Sequence, residues 1–144
     1  MSGCQQKTFF PAAIITVTTV EPYELVIVAN TTASTTLGLP DLSVTLKSET
    51  AVPSNLTAFS VTYYTLQGDV VPELRIEETP MSTFLAGNTT LVLKMSPYTS
   101  RVYNFLSTTN AVISPLKALI MLTFKDVNGN TVQKEVWCRI HSPS

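Results

Sequence analysis

The stretch Ala118-Leu-Ile-Met-Leu-Thr-Phe-Lys-Asp-Val-Asn-Gly-Asn-Thr-Val-Gln-Lys-Glu-Val136 decides the fold. Two apolar-rich runs flank Asn128-Gly129, a strong short-range signal for a β-hairpin. Two registers compete. A two-residue loop at Asn128-Gly129 would set Phe124 opposite Gln133 and Leu122 opposite Glu135, pairing apolar with polar on one face. A type I turn over Asp126 to Gly129, with Gly129 in the left-handed region as a bulge, shifts the pairing by one residue. Phe124 then faces Val132, and Ile120 faces Val136. A one-residue slip moves every side chain to the other face, so burial selects the second register. Lys134 is the one misfit on its inner side.

Working outward, Leu66-Gln-Gly-Asp69 predicts a second turn of the same kind. Gly68 takes the part of Gly129, Tyr63 stands opposite Val71, and Pro72 limits the returning strand to an edge. Period-two alternation recurs in Ile14 to Val20, Leu42 to Leu46, Phe59 to Tyr63 and Leu91 to Met95, and more weakly in Val102 to Leu106. Leu25-Val-Ile-Val-Ala29 is continuously apolar and suits a central strand. Val132 to Ile140 closes the chain. Prolines and glycines separate these runs, and no window carries a helical stripe. At most one helical turn is expected, around Met81 to Leu85, and Glu77-Glu78 reads as a solvated loop. The fold class that follows is all-β: an antiparallel β-sandwich of about seven to nine strands with an N-terminal arm. The expected division is an arm over 1–13, the sandwich over 14–140 and a tail over 141–144.

Leu122-Thr-Phe-Lys-Asp-Val-Asn-Gly-Asn-Thr-Val132 resembles the terminal hairpin of immunoglobulin-like and fibronectin-like domains, and the strand rhythm supports that likeness from about Ile14 to Ile140. The resemblance implies a sandwich of the kind found in phage capsid decoration proteins and microbial surface proteins. The antibody pattern of paired core cysteines around a tryptophan is absent, since Trp137 adjoins Cys138 and Cys4 lies outside the strands.

The composition narrows the function. With 144 residues the chain fits one domain and can bury a core without a disulfide or metal. Its net charge of −1 offers no basic excess for nucleic acid. Only 13% of residues are charged, against about 25% in ordinary soluble domains. No apolar run reaches the roughly 18 residues of a membrane helix. Thr is the commonest residue; it favours strands and solvates a surface without charge. Met1-Ser-Gly-Cys-Gln-Gln-Lys7 lacks the apolar core of a secretory signal, so the expectation is a chain made and assembled in a cytoplasm, or one whose signal has been removed. Cys4 and Cys138 read as unpaired thiols, with a bridge as the alternative.

Catalysis is not expected. The one histidine, His141, lies near the chain end, where it reads as solvated. With Cys138 it forms a Cys-x-x-His pair, half of a zinc set that normally takes four ligands. No Gly-x-Ser-x-Gly occurs, and the five glycines are not clustered to cradle a phosphate. Asp126-Val-Asn-Gly-Asn130 has the composition of a calcium loop, but its glycine comes fourth where an EF-hand has it sixth. No cofactor or metal is expected. Asn30, Asn55 and Asn88 open Asn-x-Thr sequons at strand ends or in loops, where a glycan has room.

The residues expected to meet a partner are Phe9, Phe10 and Pro11 on the arm, which either tuck against their own sandwich or dock on a neighbour. Tyr64 joins them, because Tyr63 and Tyr64 on one strand must face opposite ways. Two functions from different classes fit. One is a non-enzymatic virion protein, either a capsid decoration or cement subunit or a tail or neck component, that binds protein neighbours as a homo-oligomer. The other is an extracellular, cell-surface binding module that carries glycans. Neither calls for nucleic acid or membrane insertion.

Overall fold

The computed structural model describes residues 11–21, 23–26, 42–95, 102 and 115–141. Among them are eight strands: β1 (Ile15–Glu21), β2 (Glu24–Val26), β3 (Leu42–Ser48), β4 (Ser54–Tyr64), β5 (Ile76–Leu85), β6 (Thr90–Met95), β7 (Leu116–Asp126) and β8 (Thr131–His141). They form a smaller sheet in the order β1-β3-β6 and a larger one in the order β2-β8-β7-β4-β5. All pairings are antiparallel except β2 with β8. The fold is an all-β sandwich.

Alternation builds the core. Leu42, Val44 and Leu46 of β3 point inward from the smaller sheet, and Leu116, Ala118, Ile120, Leu122 and Phe124 of β7 meet them from the larger one. All of these are fully buried. Each buried leucine or isoleucine contributes roughly 1.5–3 kcal/mol relative to an exposed one.

The β7–β8 hairpin takes the bulged register. Phe124 pairs with Val132 and Ile120 with Val136, and Gly129 sits at φ 86°. Lys134, opposite Leu122, is half-buried. The turn after β4 follows suit, with Gly68 at φ 97° and the Val71 N–H donating to the Tyr63 carbonyl at 2.9 Å. Its returning strand is a single bridge, Tyr64 to Val70, before Pro72–Leu74 coils into a 3-10 turn. Proline has no N–H to continue a ladder, so the chain leaves the sheet there. Gly87 answers a different need: a Cβ on it would collide with the carbonyl of Ala51.

Four expectations are corrected. Met81 to Leu85 is not a helical turn but the end of β5, with Met81 and Thr83 half-buried, Leu85 buried, and Ser82 and Phe84 exposed between them. Pro80 fits β5 because the strand lies at the sheet edge. Glu77-Glu78 is not a loop either. Phe59 pairs with Thr79 and Val61 with Ile76, so β5 carries an extra residue at the two glutamates. That bulge is why two neighbours on one strand are both exposed. β2, the described part of Leu25 to Ala29, is an outermost strand rather than a central one. Val102, expected to open a weak strand, is instead helical and buried, and the rest of that run to Leu106 lies outside the described residues.

Candidate interaction surface

The best-organised polar site is built on the β7–β8 turn. Asp126, at the end of β7, is 5% exposed. Its Oδ1 accepts the backbone N–H of Asn128 and of Asn130, each at 2.9 Å. Its Oδ2 accepts the N–H of Ala13 at 2.9 Å and the Asn130 side-chain amide at 3.2 Å. Above it, the side-chain amides of Asn128 and Asn130 donate to the Pro11 carbonyl at 2.9 and 3.3 Å. The turn thus clamps the residues leading into β1, and Ala13 enters the core at 4% exposure. Desolvation pushes the Asp126 carboxyl up, but the N–H groups of Ala13, Asn130 and Asn128 together outweigh it and hold the group below its ordinary 3.8. Four N–H donors use the acceptor positions of this carboxylate, which leaves little for a cation. Among the described residues no His/Cys/Asp/Glu cluster could hold a metal.

The two outer faces of the sandwich differ. On the smaller sheet, Thr45 of β3 pairs with Thr19 of β1 and Val92 of β6, and Lys47 pairs with Thr16 and Thr90. The third row is Glu21, Ser43 and Lys94, so this face is threonine-rich and carries Glu21, Lys47 and Lys94 but no aromatic ring. On the larger sheet, Tyr64, Lys117 and Arg139 form one cross-strand row, and Thr62, Leu119 and Trp137 the next. The Tyr64 and Trp137 rings lie 5.7 Å apart at 41°, the Lys117 ammonium is 6.0 Å from the Trp137 ring, and the Arg139 guanidinium is 5.9 Å from the ring of Tyr23. Trp137 and Tyr23 are exposed, while Tyr63 is fully buried. The opposed facing of Tyr63 and Tyr64 therefore follows the sequence expectation. At the other end of this face, a groove of about 240 Å³ runs between Asn55, Phe84, Lys125 and Val127. Ser54 borders it, but its hydroxyl is sealed from solvent and has no partner.

The sequence-derived candidates scatter. Pro11 is exposed and held by the β7–β8 turn; Phe9, Phe10, Asn30 and Cys4 lie outside the described residues. Asn55 is exposed at the start of β4, and Asn88 is exposed in the β5–β6 turn at φ 58°. His141 is the last residue of β8, and its Nε2 lies 2.7 Å from Glu24 Oε1 on β2. Cys138 is a free thiol facing the core, and burial pushes its pKa to about 12. Three positions apart on one strand, Cys138 and His141 face opposite ways and cannot share a metal. Sequence reasoning passed over Trp137, Lys117, Arg139 and Tyr23. The hairpin register alone could have found the first of these, since it puts Trp137 beside Leu119, on the face opposite to buried Ile120.

No family model matches the chain, and no curated protein matches it. Two solved structures are similar in fold. One is a structural genomics target determined by X-ray crystallography, at 7% identity and TM-score 0.54, covering 92% of this chain and 88% of that one. The other is a Bordetella pertussis protein provisionally named ApaA, at 10% identity and TM-score 0.54, covering 91% of this chain and 95% of that one. The likeness extends over nearly the whole chain and concerns the sandwich architecture alone.

Proposed function

We propose that the chain is a non-enzymatic, immunoglobulin-like structural module that works by binding protein neighbours, as a virion subunit in a capsid decoration, cement, tail or neck position. What supports the immunoglobulin-like assignment is strand order. β3 and β6 stand where that fold has B and E, and β8-β7-β4-β5 follows its order G-F-C-C′. The N-terminal segment divides its pairing, with β1 on the smaller sheet and β2 parallel to β8 on the larger.

The observation that carries the binding role is the outer face of β4, β7 and β8. Tyr64 and Trp137 are residue types that anchor interfaces, since their rings give contact area at little entropic cost. Around them Leu119 and Met121 are half-buried on the same face. The neighbour this face fits is a second copy of the chain, whose net charge of −1 leaves little long-range repulsion between copies. Light scattering over a concentration series tests it: the wild type should form oligomers that Trp137→Arg reduces to monomer. A wild type that stays monomeric up to high concentration would remove the support for self-association.

One observation favours a cell-surface module instead: the side chains of Asn55 and Asn88 are exposed in their sequons. Secretion from a glycosylating host followed by glycopeptide mass analysis separates the two, because a virion subunit requires no occupancy at either position.

A further inference from the structure

We propose that Asn128 is a spontaneous modification site, at which loss of side-chain ammonia converts a donor of the Pro11 clamp into a charge and releases the segment leading into β1. Of the chain's asparagines, only Asn128 precedes glycine; the others precede Thr, Leu, Phe or Ala. In the chemistry concerned, the Gly129 backbone nitrogen attacks Cγ of Asn128. The new N–C bond forms as the Cγ–Nδ2 bond breaks, and ammonia leaves carrying the proton from Gly129. Water then opens the five-membered imide at either carbonyl, giving aspartate or an isoaspartyl linkage. Water is the only co-reactant, and nothing is oxidised or reduced. A side chain on the following residue would crowd the attacking nitrogen; Gly129 has none.

The structure adds a brake and a consequence. The Gly129 N–H donates to the Asp126 carbonyl at 3.1 Å, and Asn128 Nδ2 donates to Pro11 O at 2.9 Å. Ring closure breaks both bonds, so the reaction waits for the clamp to open. The side chain is exposed, so water reaches it once it does. Afterwards the clamp cannot reform as it was. A carboxylate at 128 faces the Pro11 carbonyl without a proton to donate, in the same turn as the Asp126 carboxylate. An isoaspartyl link also adds a methylene to the backbone within the Asp126–Asn130 turn. Opening permits the reaction and the reaction prevents closing, so the site acts once and in one direction.

Two measurements test this. Intact protein is held at mildly alkaline pH and mapped by peptide mass over time. Asn128 should convert several-fold faster than any other asparagine, and faster again in Asp126→Ala, whose clamp is opened. Because Asp126→Ala disturbs a buried site on which the fold rests, Asn128→Asp is made directly as the product. Hydrogen exchange at the Ala13 amide should then be several-fold faster than in the wild type, with Asn128→Ala, which loses the donor without gaining a charge, in between. Conversion led by another asparagine would overturn the proposal, and so would an Asn128→Asp protein with wild-type protection at Ala13.

Discussion

The turns at Thr65–Asp69 and Asp126–Asn130 share one backbone and serve different ends. In each, the first residue's N–H donates to the carbonyl of the fifth, at 2.8 and 3.0 Å, and the glycine N–H donates to the carbonyl of the first, at 2.9 and 3.1 Å. In each, the first side chain accepts the N–H of the fifth: Thr65 Oγ1 at 3.2 Å and Asp126 Oδ1 at 2.9 Å. Each carries an exposed apolar residue second, Leu66 or Val127. The difference is what rests on them. Nothing from a distant part of the described chain hydrogen-bonds to the first turn, whereas the second holds Pro11 and Ala13 across more than a hundred residues of sequence. A local motif thus sets the path of the chain, and a second oxygen on one side chain turns that motif into a long-range clamp.

The largest contrast should come from the first residue of each turn. Asp126→Ala strands the N–H groups it satisfies and should cost about 2–4 kcal/mol, against about 0.5–1 kcal/mol for Thr65→Ala, as read from urea unfolding. Equal costs would mean the clamp adds nothing to the turn. Next come the glycines. Both lie at positive φ with open space around the missing Cβ, so Gly129→Ala and Gly68→Ala should each cost about 1–2 kcal/mol through backbone strain alone. A marked inequality would show that clamp and turn geometry are coupled.

Acid sharpens the comparison further. Asp126 has a folded pKa below its ordinary 3.8. Its contribution is therefore complete above that ordinary value and fades as pH falls through the lower folded one. Unfolding followed from pH 6 downward should show wild-type stability declining in that window, and Asp126→Asn should flatten this part of the curve while Thr65→Ala leaves it unchanged. The smallest effect concerns the residue before glycine: Gln67 would have to close a six-membered imide where Asn128 closes a five-membered one. Peptide mapping should find Gln67 intact when Asn128 has converted.

Much of the larger sheet was legible in the sequence. The Phe124–Val132 register followed from one condition, that a slip would turn the apolar side of β7 to solvent, and Tyr63 and Tyr64 had to part for the same reason. β5 was hidden because Pro80 and the bulge at Glu77-Glu78 interrupt its alternation, so the period-two signal fell below recognition. The outer edge position of β2 was hidden because an apolar run shows that a strand is wanted inside, not which neighbours it pairs with. Trp137 adjoins Cys138 along the chain, but its meaning lies across the sheet, at Tyr64 and Lys117.

By itself the sequence determined that the chain folds mainly as strands, which side of β7 and β8 faces inward, and the form of both glycine turns. These rest on interactions within a few residues and on the two-residue repeat of a pleated strand. Only the tertiary structure decided that Asp126 receives Ala13, that Asn128 and Asn130 hold Pro11, and that Tyr64, Trp137 and Lys117 share a surface. Those contacts join segments far apart in the chain, and it is the order of strands in the sheets, which no local pattern encodes, that brings them together.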